Sequence, residues 1–384
     1  MGSLEIIPAP VAVPESQLID LKRRLEHTRW PDRETVPDWS QGVPLAYLQQ
    51  LCSYWREHYD WRRWEQQLNR FSPSRAIIDG VGIHFLHVRS PHPHALPLIM
   101  THGWPGSVAE FRKVIGPLTD PPAFAGRPSD AFHLVCPTLP GYGFSDKPTA
   151  RGWGVEQIAR AWDQLMSGLG YRRYVAQGGD WGSVVTHCLA LTAAECIGMH
   201  THMPIAIPPE ASRGHDLEPI EREALEVLRQ YREADAGYAQ QQSTRPQTLG
   251  YALADSPSGQ LAWIVEKFWS WMDCGEGDAR HPENVLSKDE LLDNVMMYWL
   301  SNSAASSARL YWESFRSWDR TPITKPVGVS LFRRELFTTS RRWAQMRYPN
   351  LIHFNALDRG GHFAALEQPA LFVDELRSCF RTLR

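Results

Sequence analysis

The stretch Tyr174-Val-Ala-Gln-Gly-Gly-Asp-Trp-Gly-Ser183 constrains this chain more than any other. A β-branched and apolar run enters a turn with glycine at 178, 179 and 182, and a helix-like segment follows from Val184 to Ala194. The pattern Gly178-x-Asp180-x-Gly182 is the small-residue frame of a nucleophile elbow, in which one strained residue projects above a sheet edge. Here that residue is an aspartate, and no Gly-x-Ser-x-Gly occurs elsewhere in the chain. A carboxylate with an ordinary pKa of about 3.9 is already an anion at neutral pH and needs no base to activate it. Attack at a saturated carbon gives an alkyl ester, which water activated by a histidine can hydrolyse; a serine would leave an inert ether. The elbow therefore predicts displacement at carbon followed by hydrolysis.

At 384 residues the chain is long enough for one enlarged domain or two coupled ones. Its formal charge of −3 gives no basic field for nucleic acid or an anionic membrane, and suits a small neutral substrate. Lysines are few and arginines many, which points to a GC-rich, bacterial genome. The six cysteines, Cys52, Cys136, Cys188, Cys196, Cys274 and Cys379, are scattered and form no metal-type cluster, so buried free thiols are expected. No apolar run approaches the roughly 20 residues that cross a bilayer, and the N-terminus lacks a basic region followed by an apolar one. A cytoplasmic protein without a membrane anchor is the expectation, and a homodimer is compatible with the sequence.

Residues 1–90 read as a helical arm leading into the first strands, with Leu18, Leu21 and Leu25 on one helical face and Leu45, Leu48, Leu51 and Trp55 on another. Trp30, Trp39, Trp55, Trp61 and Trp64 crowd this arm, which implies that it packs on the rest of the molecule. Strand signals occupy Ile77 to Val88, broken at Asp79-Gly80, then Leu96–Met100 and His133–Cys136. Helical patterns at Val108–Leu118 and Val155–Leu169 alternate with them across residues 91–206. That alternation argues for an α/β fold with a mainly parallel sheet, which binds ligands at strand carboxyl ends.

Between residues 207 and 322 strand signals vanish, and helices are expected at Pro219–Glu233, Ser258–Trp271, Lys288–Ser301 and Ala305–Ser317. Trp263, Trp269, Trp271, Trp299, Trp312 and Trp318 lie in this insertion, which reads as a helical cap over a greasy cavity. The sheet resumes across residues 323–384 with Val327–Phe332 and Leu351–Phe354, and a helix from Pro369 to Leu383 closes the chain.

In chain order the candidates are Asp180, an acid after a late strand, and His362 in the turn Asp358-Arg-Gly-Gly-His362. That is the nucleophile, acid, histidine order of α/β-hydrolases. Glu335, just past a strand end, and Asp358, in the histidine loop, both remain open as the acid. His102 belongs to a turn better suited to an oxyanion-hole loop than to a base, and Ser183 reads as a helix cap or first-turn residue.

Beside this reading, the sequence resembles microsomal-type epoxide hydrolases over nearly its whole length. The resemblance is carried by Thr28-Arg-Trp-Pro-Asp32, Tyr59-Asp-Trp-Arg62, His102-Gly-Trp-Pro-Gly-Ser107 and Gly178-Gly-Asp-Trp-Gly-Ser183. Thr244-Arg-Pro-Gln-Thr248, Asp255-Ser-Pro257, Glu266-Lys-Phe268 and Arg359-Gly-Gly-His-Phe-Ala-Ala365 complete it.

It implies an α/β-hydrolase fold with an N-terminal helical meander and a helical cap between late strands, acting on an epoxide and water with neither metal nor organic cofactor. By the same resemblance Asp180 is the nucleophile, His362 the general base and Glu335 the charge-relay acid. Tyr238 and Tyr311 fall where the family has two cap tyrosines, whose phenols would hold the leaving ring oxygen. The backbone N–H groups of Trp104 and Trp181 are then placed for the oxyanion hole. The expected product is a vicinal diol, in detoxification or natural-product pathways such as those building enediyne antibiotics. Rival readings are a haloalkane dehalogenase, separated by halide release, and a non-catalytic binder on the same scaffold.

Overall fold

A nine-stranded sheet carries the site, in a computed structural model that describes residues 4–208, 210, 216–315 and 319–384. Its strands are β1 (Ile6–Pro8), β2 (Pro73–Ile78), β3 (Val81–Val88), β4 (Leu96–Thr101), β5 (Phe132–Pro137), β6 (Tyr174–Gly178), β7 (Cys196–Thr201), β8 (Val327–Leu331) and β9 (Leu351–Ala356). They lie in the order β1-β2-β3-β5-β4-β6-β7-β8-β9. Strands β1, β2 and β3 join antiparallel, and β3 pairs antiparallel with β5. Every pair from β5 to β9 is parallel, as the alternation of strands and helices predicts. All residues of β5, β6 and β8 are buried, and apart from His133 and Gln177 they are apolar, aromatic or small instead of alternating, as suits a sheet covered on both faces.

The break at Asp79-Gly80 is a tight hairpin between β2 and β3, with both residues at positive φ (49° and 79°), the geometry that suits the right-handed twist of the flanking strands. Two expected elements take different forms. The helix read over Val108–Leu118 divides into a 3₁₀ turn at Val108–Phe111 and a short helix at Ile115–Thr119. The one read over Pro219–Glu233 ends as an α-helix at Gln230 and continues as a π-turn from Tyr231 to Asp235.

Between β7 and β8 the described chain is helical: Pro219–Gln230, Gly237–Thr244, Pro246–Asp255, Pro257–Trp271, Lys288–Trp299 and Ala304–Ser314. The end of the segment read over Ala305–Ser317, and Trp318, lie outside the described residues. This insert is bound both to the core and to the N-terminal arm. Asp293, fully buried, accepts from the hydroxyl of Tyr59 (2.8 Å) and from Arg63 (2.7 Å) of the arm, and from Arg112 (2.5 Å) of the core. In the arm, Trp55, Trp61 and Trp64 are buried, while Trp39 stacks on Trp269 of the insert at 5.1 Å. All six cysteines are buried and free, and no described helix is long and apolar enough to cross a membrane.

Candidate active site

The turn after β6 places Asp180 at φ 50°, in the left-handed region that residues with a Cβ rarely adopt. Close packing forces this shape. A methyl group on Gly182 would lie 1.9 Å from the carbonyl oxygen of Thr101, and one on Gly103 would lie 2.1 Å from Asp180 Oδ1. Only bare backbone lets the elbow and the loop after β4 approach so closely. The strained residue is also the first of the helix Asp180–Thr192, so the helix's positive end faces its carboxylate.

The Trp104 N–H donates to Asp180 Oδ1 at 2.8 Å. Trp181 stands in the first turn of the same helix, where backbone N–H groups have no intrahelical acceptor. The loop carrying Trp104 is held from both sides. Asn294 donates to the carbonyl of Pro105 (2.7 Å), and the Tyr298 hydroxyl donates to the carbonyl of Gly106 (2.6 Å). His102 lies inside this loop, with Nδ1 3.0 Å from the Gly103 carbonyl and Nε2 3.2 Å from the Leu139 N–H. Both contacts suit one neutral tautomer, and burial lowers its pKa to about 4. Such a ring braces the loop. Ser183 is likewise committed, donating to the Met203 carbonyl at 2.7 Å.

Across from the elbow, His362 Nε2 is 3.5 Å from Asp180 Oδ2, and its Nδ1 is 2.9 Å from Glu335 Oε1. Glu335 Oε1 also accepts the Leu336 N–H at 2.7 Å, which fixes the carboxylate against the ring. Asp358 is exposed, and the acid hydrogen-bonded to the ring is Glu335. Burial alone would lower the proton affinity of His362, but the Glu335 and Asp180 carboxylates raise it well above the ordinary imidazole range. Burial raises the Glu335 carboxyl, and the charge of His362 offsets only part of that.

Tyr238 and Tyr311 reach the same space from the helices Gly237–Thr244 and Ala304–Ser314, their ring centroids 5.8 Å apart. Tyr238 stacks on Trp104 (4.8 Å) and Tyr311 meets Trp181 edge-on (4.8 Å), so each phenol is packed against a residue flanking the nucleophile. Burial raises both phenols well above their ordinary range, keeping them neutral. With Asp180 they line a cavity completed by Val184, Met203, Phe315, Leu336 and Phe337. Its walls are as apolar as expected, but its free volume of about 30 Å³ is that of a single water. Anything larger enters only as side chains move, and Phe315 and Phe337 also line a cleft of about 600 Å³.

Three neighbours escaped the sequence reading. Tyr231 places its hydroxyl 2.9 Å from that of Tyr238; its spacing of seven residues, two helical turns, was the available signal. Glu110 keeps some accessible surface, yet enclosure pushes its carboxyl up to about 8, with His362 opposing and Asp180 adding to the rise. Glu367 accepts the N–H groups of Asp273 and Phe363, and enclosure pushes it up to about 7. Among the described residues no group of three His, Cys, Asp or Glu side chains is arranged to hold a metal ion.

An aspartate elbow, a buried histidine–carboxylate pair and a mostly parallel sheet interrupted by a helical insert define an α/β-hydrolase. A family model described as alpha/beta hydrolase fold matches residues 97–246, and one described as epoxide hydrolase N terminus matches residues 6–111. A Stigmatella aurantiaca (strain DW4/3-1) protein provisionally named an epoxide hydrolase is 58% identical over 381 residues, covering 99% of this chain and 86% of that protein. Epoxide hydrolase 1 of Sus scrofa is 33% identical over 97% of this chain and 88% of its own length. The solved structure of Aspergillus niger epoxide hydrolase superposes with a TM-score of 0.89 at 32% identity, covering 100% of this chain and 97% of that one. The chain belongs to the epoxide hydrolases, and the rival readings as a dehalogenase or a silent binder are not favoured.

Proposed function

We propose that this epoxide hydrolase converts an apolar, aromatic-bearing epoxide to a vicinal diol through an ester on Asp180. The observation that carries the reading is the division of labour at that carboxylate: Oδ1 already accepts an N–H donor, while Oδ2 faces His362 and the tyrosine-lined cavity. Oδ2 attacks an epoxide carbon, and the electron pair of the breaking C–O bond passes to the ring oxygen. Tyr238 and Tyr311 hold that oxygen and supply the hydrogen bonds an alkoxide needs. Oδ1 becomes the ester carbonyl oxygen, and the N–H groups of Trp104 and Trp181 stabilise the oxyanion formed when water adds.

Ester formation also changes His362. It removes the negative charge of Asp180, one of the two carboxylates that keep the imidazole protonated, so His362 releases its proton and becomes a base. It then takes a proton from the attacking water, with Glu335 orienting the ring and stabilising the returning cation. No metal or organic cofactor enters this cycle. The apolar lining supports hydrophobic epoxides of the kind met in detoxification or natural-product synthesis. Replacing His362 by glutamine should leave the enzyme alkylated at Asp180, detectable as a mass increase equal to the epoxide; an unmodified protein after exposure to substrate would overturn the scheme.

A further inference from the structure

Tyr231 is a buried phenol that the cycle above leaves unused. It begins the π-turn Tyr231–Asp235, and its hydroxyl oxygen is 2.9 Å from that of Tyr238, with either able to donate. The turn is held in place by the insert itself. Asp235 accepts from Lys267 (2.6 Å) and from the indole of Trp271 (2.5 Å), and the Trp271 carbonyl accepts the His362 N–H at 3.0 Å. Tyr231 also faces two spaces. One is the cavity with Asp180, Tyr238 and Tyr311; the other is a groove of about 500 Å³ lined by Glu223, Gln230, Asp235, Arg280 and Arg334. The hydroxyl of Tyr311, by contrast, makes no hydrogen bond in good geometry, and the phenol that neighbours it is that of Tyr238 itself.

A phenol has one hydrogen to give and oxygen lone pairs to accept. When Tyr238 turns its hydrogen to the epoxide oxygen, its own oxygen is left facing Tyr231, which can then donate to it. Tyr311 has no second phenol bonded behind it in this way, its hydroxyl neighbouring Tyr238 instead. We propose that Tyr231 is a positioning and proton-return residue for Tyr238, so that the two cap tyrosines are unequal: Tyr238 transfers its proton to the ring oxygen, and Tyr311 only anchors it. The inference rests on the covalent reading above.

The protons balance. As the Asp180 Oδ2–carbon bond forms and the ring C–O bond breaks, the alkoxide takes the Tyr238 hydrogen, Tyr238 takes that of Tyr231, and Tyr231 takes one from water in the groove. The proton drawn from solvent is matched by the one that His362 releases before hydrolysis. A developing negative charge on Tyr238 is thereby met by a hydrogen bond to a charged acceptor, the stronger kind.

The test is rapid mixing of the full enzyme with racemic styrene oxide, following ring opening through the tryptophans beside Asp180. Tyr231→Phe should slow ring opening about tenfold and leave ester hydrolysis unchanged. In double-mutant cycles the loss should vanish on a Tyr238→Phe background and persist on Tyr311→Phe. Equal loss on both backgrounds would overturn the inference. So would a linear proton inventory for ring opening in the unaltered enzyme, where more than one proton in flight predicts a curved one; that arm needs no variant to fold. Absence of any covalent phase in the unaltered enzyme would instead contradict the two-step reading itself.

Discussion

The N–H of Trp104 donates to Oδ1 of Asp180 at 2.8 Å, which under the proposed scheme is half of an oxyanion hole assembled in advance. It also makes the two carboxylate oxygens unequal. In the proposed scheme the oxygen held by Trp104 becomes the carbonyl, and Oδ2, 3.5 Å from His362 Nε2, becomes the nucleophile. From this asymmetry, and from the His362–Glu335 pair behind it, the following outcomes are expected.

Glu335→Gln keeps the shape of the acid but removes the charge that supports His362. Ester hydrolysis should slow by at least about 100-fold while ring opening proceeds. Stopped-flow traces should then show a fast phase followed by a prolonged plateau of alkylated enzyme. If both phases slow equally, Glu335 serves folding and not the base.

Tyr311→Phe removes a hydroxyl that makes no hydrogen bond in good geometry and only neighbours the Tyr238 phenol, so its main effect should come from the substrate. Ring opening should fall about 100-fold, on the scale of one oxyanion donor, with thermal stability unchanged or raised, since a buried unpaired hydroxyl is removed. An unaltered ring-opening rate would remove Tyr311 from the site.

The two half-reactions should respond differently to pH. The carboxylates hold His362 protonated in the resting enzyme, and ester formation withdraws one of them. Hydrolysis needs the neutral ring, so its rate constant should rise as pH increases and His362 gives up its proton, while alkylated enzyme accumulates under acidic conditions. Single-turnover decay that is flat from about pH 6 to about pH 9 would contradict a histidine base.

Asp293 joins arm, core and insert through Tyr59, Arg63 and Arg112, and burial raises its carboxyl even beside those cations. Asp293→Ala leaves Arg112 and the Tyr59 hydroxyl enclosed without their acceptor, and should cost about 3 kcal/mol of stability. Denaturant unfolding measures it; an unchanged midpoint would mean that the three parts hold together without this carboxylate.

The elbow was legible in the sequence because its constraint is local: glycines at 178 and 182 and the aspartate between them encode one turn. The parallel sheet followed from alternating strands and helices, and the histidine and its acid from chain order. Legibility failed where short elements or distant contacts decide. Three-residue β1 forms only because β2 offers an edge, and β7 is read past because Cys196-Ile-Gly-Met carries little strand signal of its own. The residues alone left both Glu335 and Asp358 open and the resemblance favoured Glu335; packing buries Glu335 against His362 and leaves Asp358 exposed. Glu110 and Tyr231 each fall inside a segment read simply as helix; what sets them apart is enclosure beside Asp180 in one case and a hydroxyl 2.9 Å from Tyr238 in the other.

The central claim is that an oxygen of Asp180 enters the product. One equivalent of enzyme, turning over once in water enriched in heavy oxygen, should release diol whose new oxygen is unlabelled, with the label left in the Asp180 side chain and appearing in diol only on later turnovers. Fully labelled diol from the first turnover would show that water attacks the epoxide directly, and would contradict the account.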